Sequence, residues 1–245
     1  MPRTERVDQT DQPTTSDHGP AEAIVAKCQA QQVGEHPFFV ALRKRPADLS
    51  AIWLLMANVH AGISDHFVHW LAALIERIDD VRIASLVAKQ LNDELGNGHF
   101  QEIHSTMLVD FLAGLEPFRN GFDNATALHP GRRLCESMTV IFGNRDPYEG
   151  VGALIVSEVF ASKMDCCVGD EIRRQNAIAR AALRWLEVHE TLEVDHAGDS
   201  SRLAELVPKQ GSSLAAVWRG ANAEADALWR FLDEVHAIAA LAQRH

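Results

Sequence analysis

The chain has 245 residues, of which 47% are hydrophobic and 23% charged, a composition typical of a globular domain and not of a disordered or fibrous chain. Its 23 basic and 34 acidic side chains give a net charge of −11, which repels nucleic-acid phosphates and anionic membrane surfaces. No apolar run reaches the roughly 18 residues of a membrane span, and the first twenty residues lack the apolar centre of a signal peptide. We therefore expect a cytoplasmic protein that binds neither nucleic acid nor membrane.

The chain divides into a polar leader and one folded unit. Residues 1–20 offer almost nothing to bury, so we predict a disordered leader there and a single domain over 21–245. Hydrophobic residues in that domain recur with helical spacing, and runs of β-branched residues are missing, which predicts an all-α fold. The helices are expected at about 21–32, 36–44, 48–78, 81–115, 130–142, 147–174, 177–206 and 212–243. Asp48 is a predicted N-cap, and Pro147 a predicted first-turn residue.

Two glycines interrupt the predicted helix 81–115. Gly96 and Gly98 lie inside an otherwise helical apolar pattern, where each costs roughly 1 kcal/mol relative to alanine. Glu94 and His104 flank them, and on an ideal helix these two side chains would lie about 80° apart. The glycines therefore indicate a local distortion that could bring both side chains to one site. The alternative is a kinked surface helix with ordinary charges.

A lone carboxylate stands within the apolar segment 151–161. Every neighbour of Glu158 there is apolar except Gly152 and Ser157, so the pattern draws this carboxylate into the core. An unpaired buried charge would cost several kcal/mol, which means that a cation must compensate it. Either a metal ion or an arginine could do so.

The strongest local pattern is a stripe of potential metal ligands. His189, Glu193 and His196 fall within about 60° of one another on a helical wheel, whereas Asp195 lies about 120° from His189. This spacing favours a face that binds metal. The alternative is a solvated acidic face with two stray histidines.

Together these segments supply three carboxylates and three histidines from three helices. Facing helices that each donate an inward Glu or His build two-metal carboxylate sites in helical bundles. Mixed imidazole and carboxylate ligation suits iron or manganese, and iron is our first choice. The predicted metal ligands are Glu94, His104, Glu158, His189, Glu193 and His196.

In these residues the chain resembles the haem-oxygenase-like diiron oxidases, over roughly 34–240. Members carry an acidic residue, a Gly-x-Gly and a histidine ten positions after the acid on one core helix, then a lone Glu, then a His-x-x-x-(Asp/Glu)-x-x-His stripe. Many members have Asp where Glu193 stands. His36-Pro37-Phe38-Phe39 also looks like the entry to the family's N-terminal helix. A haem oxygenase of the same fold would instead need a proximal histidine, for which His36 is available.

The resemblance implies a bundle of about seven or eight helices that binds two Fe(II) ions, with manganese as a substitute, and uses O2 as co-substrate. Family activities include N-oxygenation of amines and guanidines, oxidative fragmentation of amino acids and decarboxylation of fatty acids to alkenes. Some N-oxygenating relatives have one more carboxylate about 26 positions before the Gly-x-Gly Glu. Val68 stands there in this chain, so Asp65, His66 or His69 would have to take that role.

The functional expectation is an O2-dependent oxygenase that acts on a small amine, guanidine or amino-acid-derived substrate in specialised metabolite biosynthesis. N-oxygenation comes first, because a net charge of −11 favours a cationic substrate. The alternatives are oxidative C–C cleavage or desaturation of an amino acid or fatty acid, and a non-enzymatic helical binding protein. An external electron donor is an expected partner, and the C-terminal helix could pack within the chain or across a homodimer.

Overall fold

A computed structural model describes residues 23, 24, 26, 32–44, 48–119, 121–176 and 178–242, without the side chains of residues 181 and 190–197. The predicted leader, residues 1–20, lies outside the described residues. The described part contains helices and no strand, as the periodicity predicts. The longer α-helices are α1 (Pro37–Arg43), α2 (Leu49–Val59), α3 (Phe67–Arg77), α4 (Val81–Glu94), α5 (His104–Leu115), α6 (His129–Phe142), α7 (Pro147–Gln175), α8 (Arg184–Leu206) and α9 (Ser212–Ala242), and a short helical turn lies at Asn124–Ala127.

Side-chain caps fix where several helices begin. The Asp48 carboxylate accepts hydrogen bonds from the backbone N–H groups of Ser50 and Ala51 at the start of α2. Asp146 caps α7 in the same way, with Pro147 in the first turn. A cap satisfies donors that have no partner inside the helix, and proline lacks the N–H that would need one. Both predicted helix starts are therefore confirmed.

Two long predicted helices are each interrupted. The predicted helix 48–78 contains a π-helical turn at His60–Ser64, after which α3 begins at Phe67. A Cβ atom at Gly62 would lie only 2.7 Å from the carbonyl oxygen of Gly131, so the two backbones touch at this turn. The predicted helix 81–115 is broken over 95–103, where the glycines indicated a distortion. Tertiary contact explains the first break, and local sequence explains the second.

Helix α7 runs through the middle of the bundle and packs most extensively against α9 and α8. Its closest approach to α9 depends on a glycine from each helix. A Cβ atom at Gly152 would lie 2.0 Å from the Val217 carbonyl oxygen, and one at Gly220 would lie 1.9 Å from that of Glu149. The C-terminal helix thus packs within the chain, and a homodimer stays a prediction.

His36 has a structural role at the entry to the bundle. Its Nδ1 accepts the backbone N–H of Phe38, its Nε2 lies 3.1 Å from an Asp233 carboxylate oxygen, and its side chain is fully buried. Burial lowers the pKa of His36 below its ordinary value. Because both ring nitrogens have protein partners, His36 is not placed to bind a haem iron.

No described helix combines the length and the apolar character that a membrane crossing requires.

The glycine contact between α7 and α9 predicts a position-specific effect on stability. Gly152→Ala should lower the free energy of unfolding by about 1–3 kcal/mol or more, because the added methyl group would overlap a backbone carbonyl that cannot rotate away. Urea unfolding of the metal-free protein measures the difference.

Gly198→Ala is the matched control. Gly198 also lies inside a helix, but a Cβ atom there would meet nothing within 4 Å. That substitution should be neutral or raise stability by up to about 1 kcal/mol. Equal effects of the two substitutions would contradict the packing argument.

Candidate metal centre

A cavity opens between the helices, with about 860 Å³ of space that includes its mouth. Its wall is mostly apolar, but it contains three acidic residues and two histidines. Neither lysine nor arginine occurs among its lining residues in the described part of the chain. The lining residues are Val59, Ile63, Ser64, Phe67, Glu94, His104, Leu108, Ser157, Glu158, Phe160, Ala161, Ser162, Met164, Asp165, Trp185, His189, Leu228 and Phe231.

The break between α4 and α5 brings Glu94 and His104 together. Glu94 is the last residue of α4 and His104 the first of α5, and His104 Nδ1 lies 3.1 Å from Glu94 Oε2. Three consecutive residues between them, 96–98, have positive φ angles. Gly96 has φ +73°, and a Cβ atom there would lie 2.6 Å from the carbonyl carbon of Glu102. The segment therefore folds back on itself, which a regular helix could not do, and the predicted distortion is confirmed.

Trp185 orients His189 towards the cavity. His189 Nδ1 lies 2.8 Å from the carbonyl oxygen of Trp185, one helical turn earlier. A carbonyl oxygen only accepts hydrogen bonds, so Nδ1 carries a proton and the lone pair of the neutral ring is on Nε2. The indole of Trp185 is held in turn by stacking on Phe111, with ring centroids 5.8 Å apart. Histidines that bind metals are commonly fixed by such a hydrogen bond on the other ring nitrogen.

Four of the six predicted ligands line this one cavity. Glu158 reaches it from α7 as a half-buried side chain. The rings of His104 and His189 lie 4.6 Å apart, centroid to centroid. The structure thus brings together Glu94, His104, Glu158 and His189, which come from α4, α5, α7 and α8.

The side chains of Glu193 and His196 lie outside the described residues. Their backbone belongs to α8, in the same helix as His189. Among the side chains that the structure does describe, no three His, Cys, Asp or Glu residues are close enough to hold a metal ion. The set of six ligands therefore stays a prediction.

The candidates for an additional ligand point elsewhere. Asp65 and His69 are exposed, and none of Asp65, His66 and His69 is among the lining residues of the cavity. Asp65 lies 3.3 Å from the ring of His60, and the ring of His66 stacks on Trp70. The π turn supplies Ile63 and Ser64 to the wall instead, so this structure gives no support to an extra ligand from this segment.

Sequence analysis missed two buried carboxyl groups at or beside the cavity. Asp165 lines the cavity and is 1% exposed. It lies seven positions after Glu158, about 20° away on the helical wheel, so the spacing that revealed the His189 stripe would also have revealed it. Glu224 is fully buried in α9, one helical turn before the lining residue Leu228, and its position on the apolar stripe of α9 was the available signal.

Burial keeps Glu224 protonated at neutral pH. The desolvation raises the pKa of Glu224 to about 8, although the Ser157 hydroxyl donates a hydrogen bond of 2.9 Å to its Oε1. Ser157 lines the cavity next to Glu158. The wall of the cavity is thus backed on the α9 side by a neutral carboxylic acid.

Glu224 should make the protein less stable as the pH rises. Its folded-state pKa of about 8 exceeds the ordinary value of 4.5, so between these values the folded chain holds a proton that the unfolded chain has lost. The free energy of unfolding should therefore fall across this window, by up to about 1.4 kcal/mol per pH unit. Urea unfolding of the protein and of Glu224→Gln, over about pH 5 to 8, isolates this contribution. If the difference between the two proteins does not change with pH, Glu224 has an ordinary pKa.

The wheel assignment of the stripe is tested by two neighbouring substitutions. His196→Ala should reduce bound iron, because residue 196 shares the face of His189, whereas Asp195→Asn should not, because residue 195 lies about 120° away. Iron content after anaerobic reconstitution with Fe(II) gives the answer. Equal retention of iron by both variants would show that the face is assigned incorrectly.

Comparison with solved structures supports the fold. A domain of unknown function with a heme oxygenase-like fold from Shewanella denitrificans superimposes with a TM-score of 0.69 at 17% identity, over 91% of this chain and 93% of the other. A CADD-like protein of unknown function from Nostoc punctiforme gives a TM-score of 0.68 at 15% identity, over 89% and 97% of the two chains. The all-α chain thus has a haem-oxygenase-like fold.

No protein of curated function matches the chain. The model of one sequence family, described as iron-containing redox enzymes, matches residues 56–229. This range includes Glu94, His104, Glu158 and His189, the four ligand candidates that meet in the cavity. The chain belongs to this family of iron-containing redox enzymes.

Proposed function

We propose that the protein is a non-haem diiron oxygenase that uses O2 to N-oxygenate a small amine, guanidine or amino-acid-derived substrate in specialised metabolite biosynthesis. The observation that carries the proposal is the meeting of Glu94, His104, Glu158 and His189 in one cavity. These residues are up to 95 positions apart in the sequence, so chance proximity on a solvated surface is a poor explanation. A non-enzymatic helical binding protein would have no need of this arrangement.

The donor set of the cavity fits iron. Imidazole nitrogen and carboxylate oxygen are ligands that suit iron and manganese, and the cavity offers both kinds from four helices. The protonated Nδ1 of His189 leaves Nε2 as the nitrogen for a metal. We propose that Glu94, His104, Glu158, His189, Glu193 and His196 hold the two ions. Bound Fe(II) would supply the site and two of the electrons for the reduction of O2.

The protein residues around these ligands set the conditions of the reaction. Phe67, Leu108 and Phe231 contribute apolar wall, which keeps water from competing with the substrate. The Trp185 ring, which stacks on Phe111, lies 4.2 Å from the His189 ring, centroid to centroid, and restricts the position of that ring. The acidic lining attracts a cationic substrate and repels an anionic one.

The overall reaction balances only with a reductant. Conversion of an amine and O2 to a hydroxylamine and water consumes two electrons and two protons. We propose that an external electron donor would supply these electrons. The C–N framework of the substrate stays intact in this reaction.

A second candidate is oxidative C–C cleavage or desaturation, and one observation favours it. The apolar wall, which includes Phe160, Leu228 and Phe231, would accommodate an alkyl chain. A fatty acid also needs a cation for its carboxylate, and the described lining residues include neither lysine nor arginine. An amino acid whose own ammonium group binds the acidic wall is therefore the better substrate for this alternative.

Product analysis tests the proposal. Protein reconstituted anaerobically with Fe(II) and mixed with candidate amines, a reductant and isotopically labelled O2 should give N-hydroxy or nitro products that contain the label. Mass spectrometry detects them, and His189→Ala should abolish them because an iron ligand is lost. His69→Ala is the control, since His69 is exposed and outside the cavity.

The other outcomes have separate meanings. A shortened carbon chain, an alkene or released ammonia would replace N-oxygenation with the second candidate. Iron that binds without any oxidation of an amine or amino acid would contradict both.

A further inference from the structure

Glu224 is a fully buried carboxyl group on the side of α9 that faces the cavity. It lies one helical turn before Leu228 and two turns before Phe231, so the three side chains fall within about 60° on the helical wheel. Leu228 and Phe231 line the cavity, whereas Glu224 does not. The Ser157 side chain, which does line the cavity, forms a hydrogen bond of 2.9 Å with Glu224 Oε1. Ser157 therefore connects Glu224 to the cavity.

Packing alone does not explain a carboxyl group at this position. In the described part of the chain, Glu224 forms no ion pair and its buried Oε2 has no hydrogen-bond partner. An uncompensated charge would cost several kcal/mol there, so the group holds a proton. A buried polar atom without a partner also lowers stability, and an apolar side chain would avoid that cost. Glu224 is thus a buried acid whose one polar contact leads to the cavity wall.

The contact between Ser157 and Glu224 suits proton transfer. A carboxylic acid can hold its proton on either oxygen, and a hydroxyl group both donates and accepts hydrogen bonds. At 2.9 Å, the Glu224 proton can pass to Ser157 Oγ while the Ser157 hydroxyl proton passes to an atom in the cavity. Glu224 is then a carboxylate that accepts the Ser157 hydrogen bond. Two O–H bonds break, one forms again on Ser157, and the acceptor atom gains one proton.

We infer that Glu224 and Ser157 form a proton relay, in which Glu224 stores a proton and Ser157 delivers it to an acceptor atom in the cavity. The inference rests on the proposed function for the reaction that uses the proton, since N-oxygenation of an amine with O2 consumes two protons. Glu224 supplies one of them. A proton from solvent then returns to Glu224 by the reverse path, through water in the cavity.

Exchange of the Glu224 proton for deuterium tests the relay without iron or substrate. The C=O stretch of a protonated carboxyl group is separate in the infrared spectrum from the bands of carboxylates, and it shifts when deuterium replaces the proton. Glu224→Gln should remove one such band and so identify it. In D2O this band should shift at least about tenfold faster in the unsubstituted protein than in Ser157→Ala, where exchange must wait for local opening of the fold.

Ser162→Ala is the matched control. Ser162 lines the same cavity from α7, but no hydrogen bond joins it to Glu224. Exchange in this variant should stay as fast as in the unsubstituted protein. Ser157→Thr keeps the hydroxyl group and should keep the fast exchange, which separates loss of the proton path from a change in packing. Circular dichroism monitors the fold of each variant.

The Fe(II)-loaded protein tests whether the reaction uses this proton. Glu224→Gln and Ser157→Ala should each slow product formation at least about tenfold, because an acid positioned for proton transfer contributes that much or more. Iron content should stay unchanged in both, and Ser157→Thr should retain most of the rate.

Three results would overturn the inference. They are an infrared spectrum in which Glu224→Gln removes no protonated carboxyl band, equal exchange rates in the unsubstituted protein and Ser157→Ala, and unchanged product formation in Glu224→Gln. Fast exchange through Ser157 in a protein that oxidises no amine or amino acid would refute the proposed function instead. The path from Glu224 to the cavity would in that case still be supported.

Discussion

Helix α7 imposes the constraint on which the rest of the structure depends. It is covered by other helices over most of its length, yet its sequence places Glu158 and Asp165 on one side of the buried stretch. A buried carboxylate must be paired, protonated or bound to a cation, since desolvating an uncompensated charge costs several kcal/mol. The surrounding helices leave a cavity beside these two carboxylates, so that the acidic residues face space that ligands can enter. The apolar remainder of α7 packs directly against α9 and α8.

The same constraint explains why Glu224 differs from the acids of the cavity. Glu224 faces the interface between α9 and α7, where it contacts the Ser157 hydroxyl, and it is not among the lining residues of the cavity. It meets the cost of burial by keeping its proton, as its raised pKa shows. Glu224 and the acidic residues of the cavity thus lie in different surroundings, because Glu224 faces packed helices and the others face the cavity. In enzymes, the environment of each carboxyl group commonly determines its chemical role.

Much of the fold and part of the site followed from the sequence. Helical periodicity predicted the all-α class, and Asp48 and Pro147 predicted helix starts, because capping depends on residues next to one another in the chain. The break at Gly96 was predictable for the same reason. The π turn at 60–64 was not, because it depends on contact with Gly131, which is remote in sequence. Asp65, His66 and His69 could not be assigned for the same reason, since this turn decides which side chains reach the cavity.

The contacts between α4 and α8 show how the ligand-bearing helices are held in place. Lys89 of α4 lies 2.5 Å from a carboxylate oxygen of Asp199 in α8, and Asp199 is 4% exposed. Lys89 stands five residues before Glu94 on α4, and Asp199 three residues after the predicted ligand His196 on α8. A partly buried pair with good geometry restricts the relative position of two helices even where its net contribution to stability is small. The predicted metal ligands on α4 and α8 are therefore aligned in part by a contact that does not itself involve the cavity.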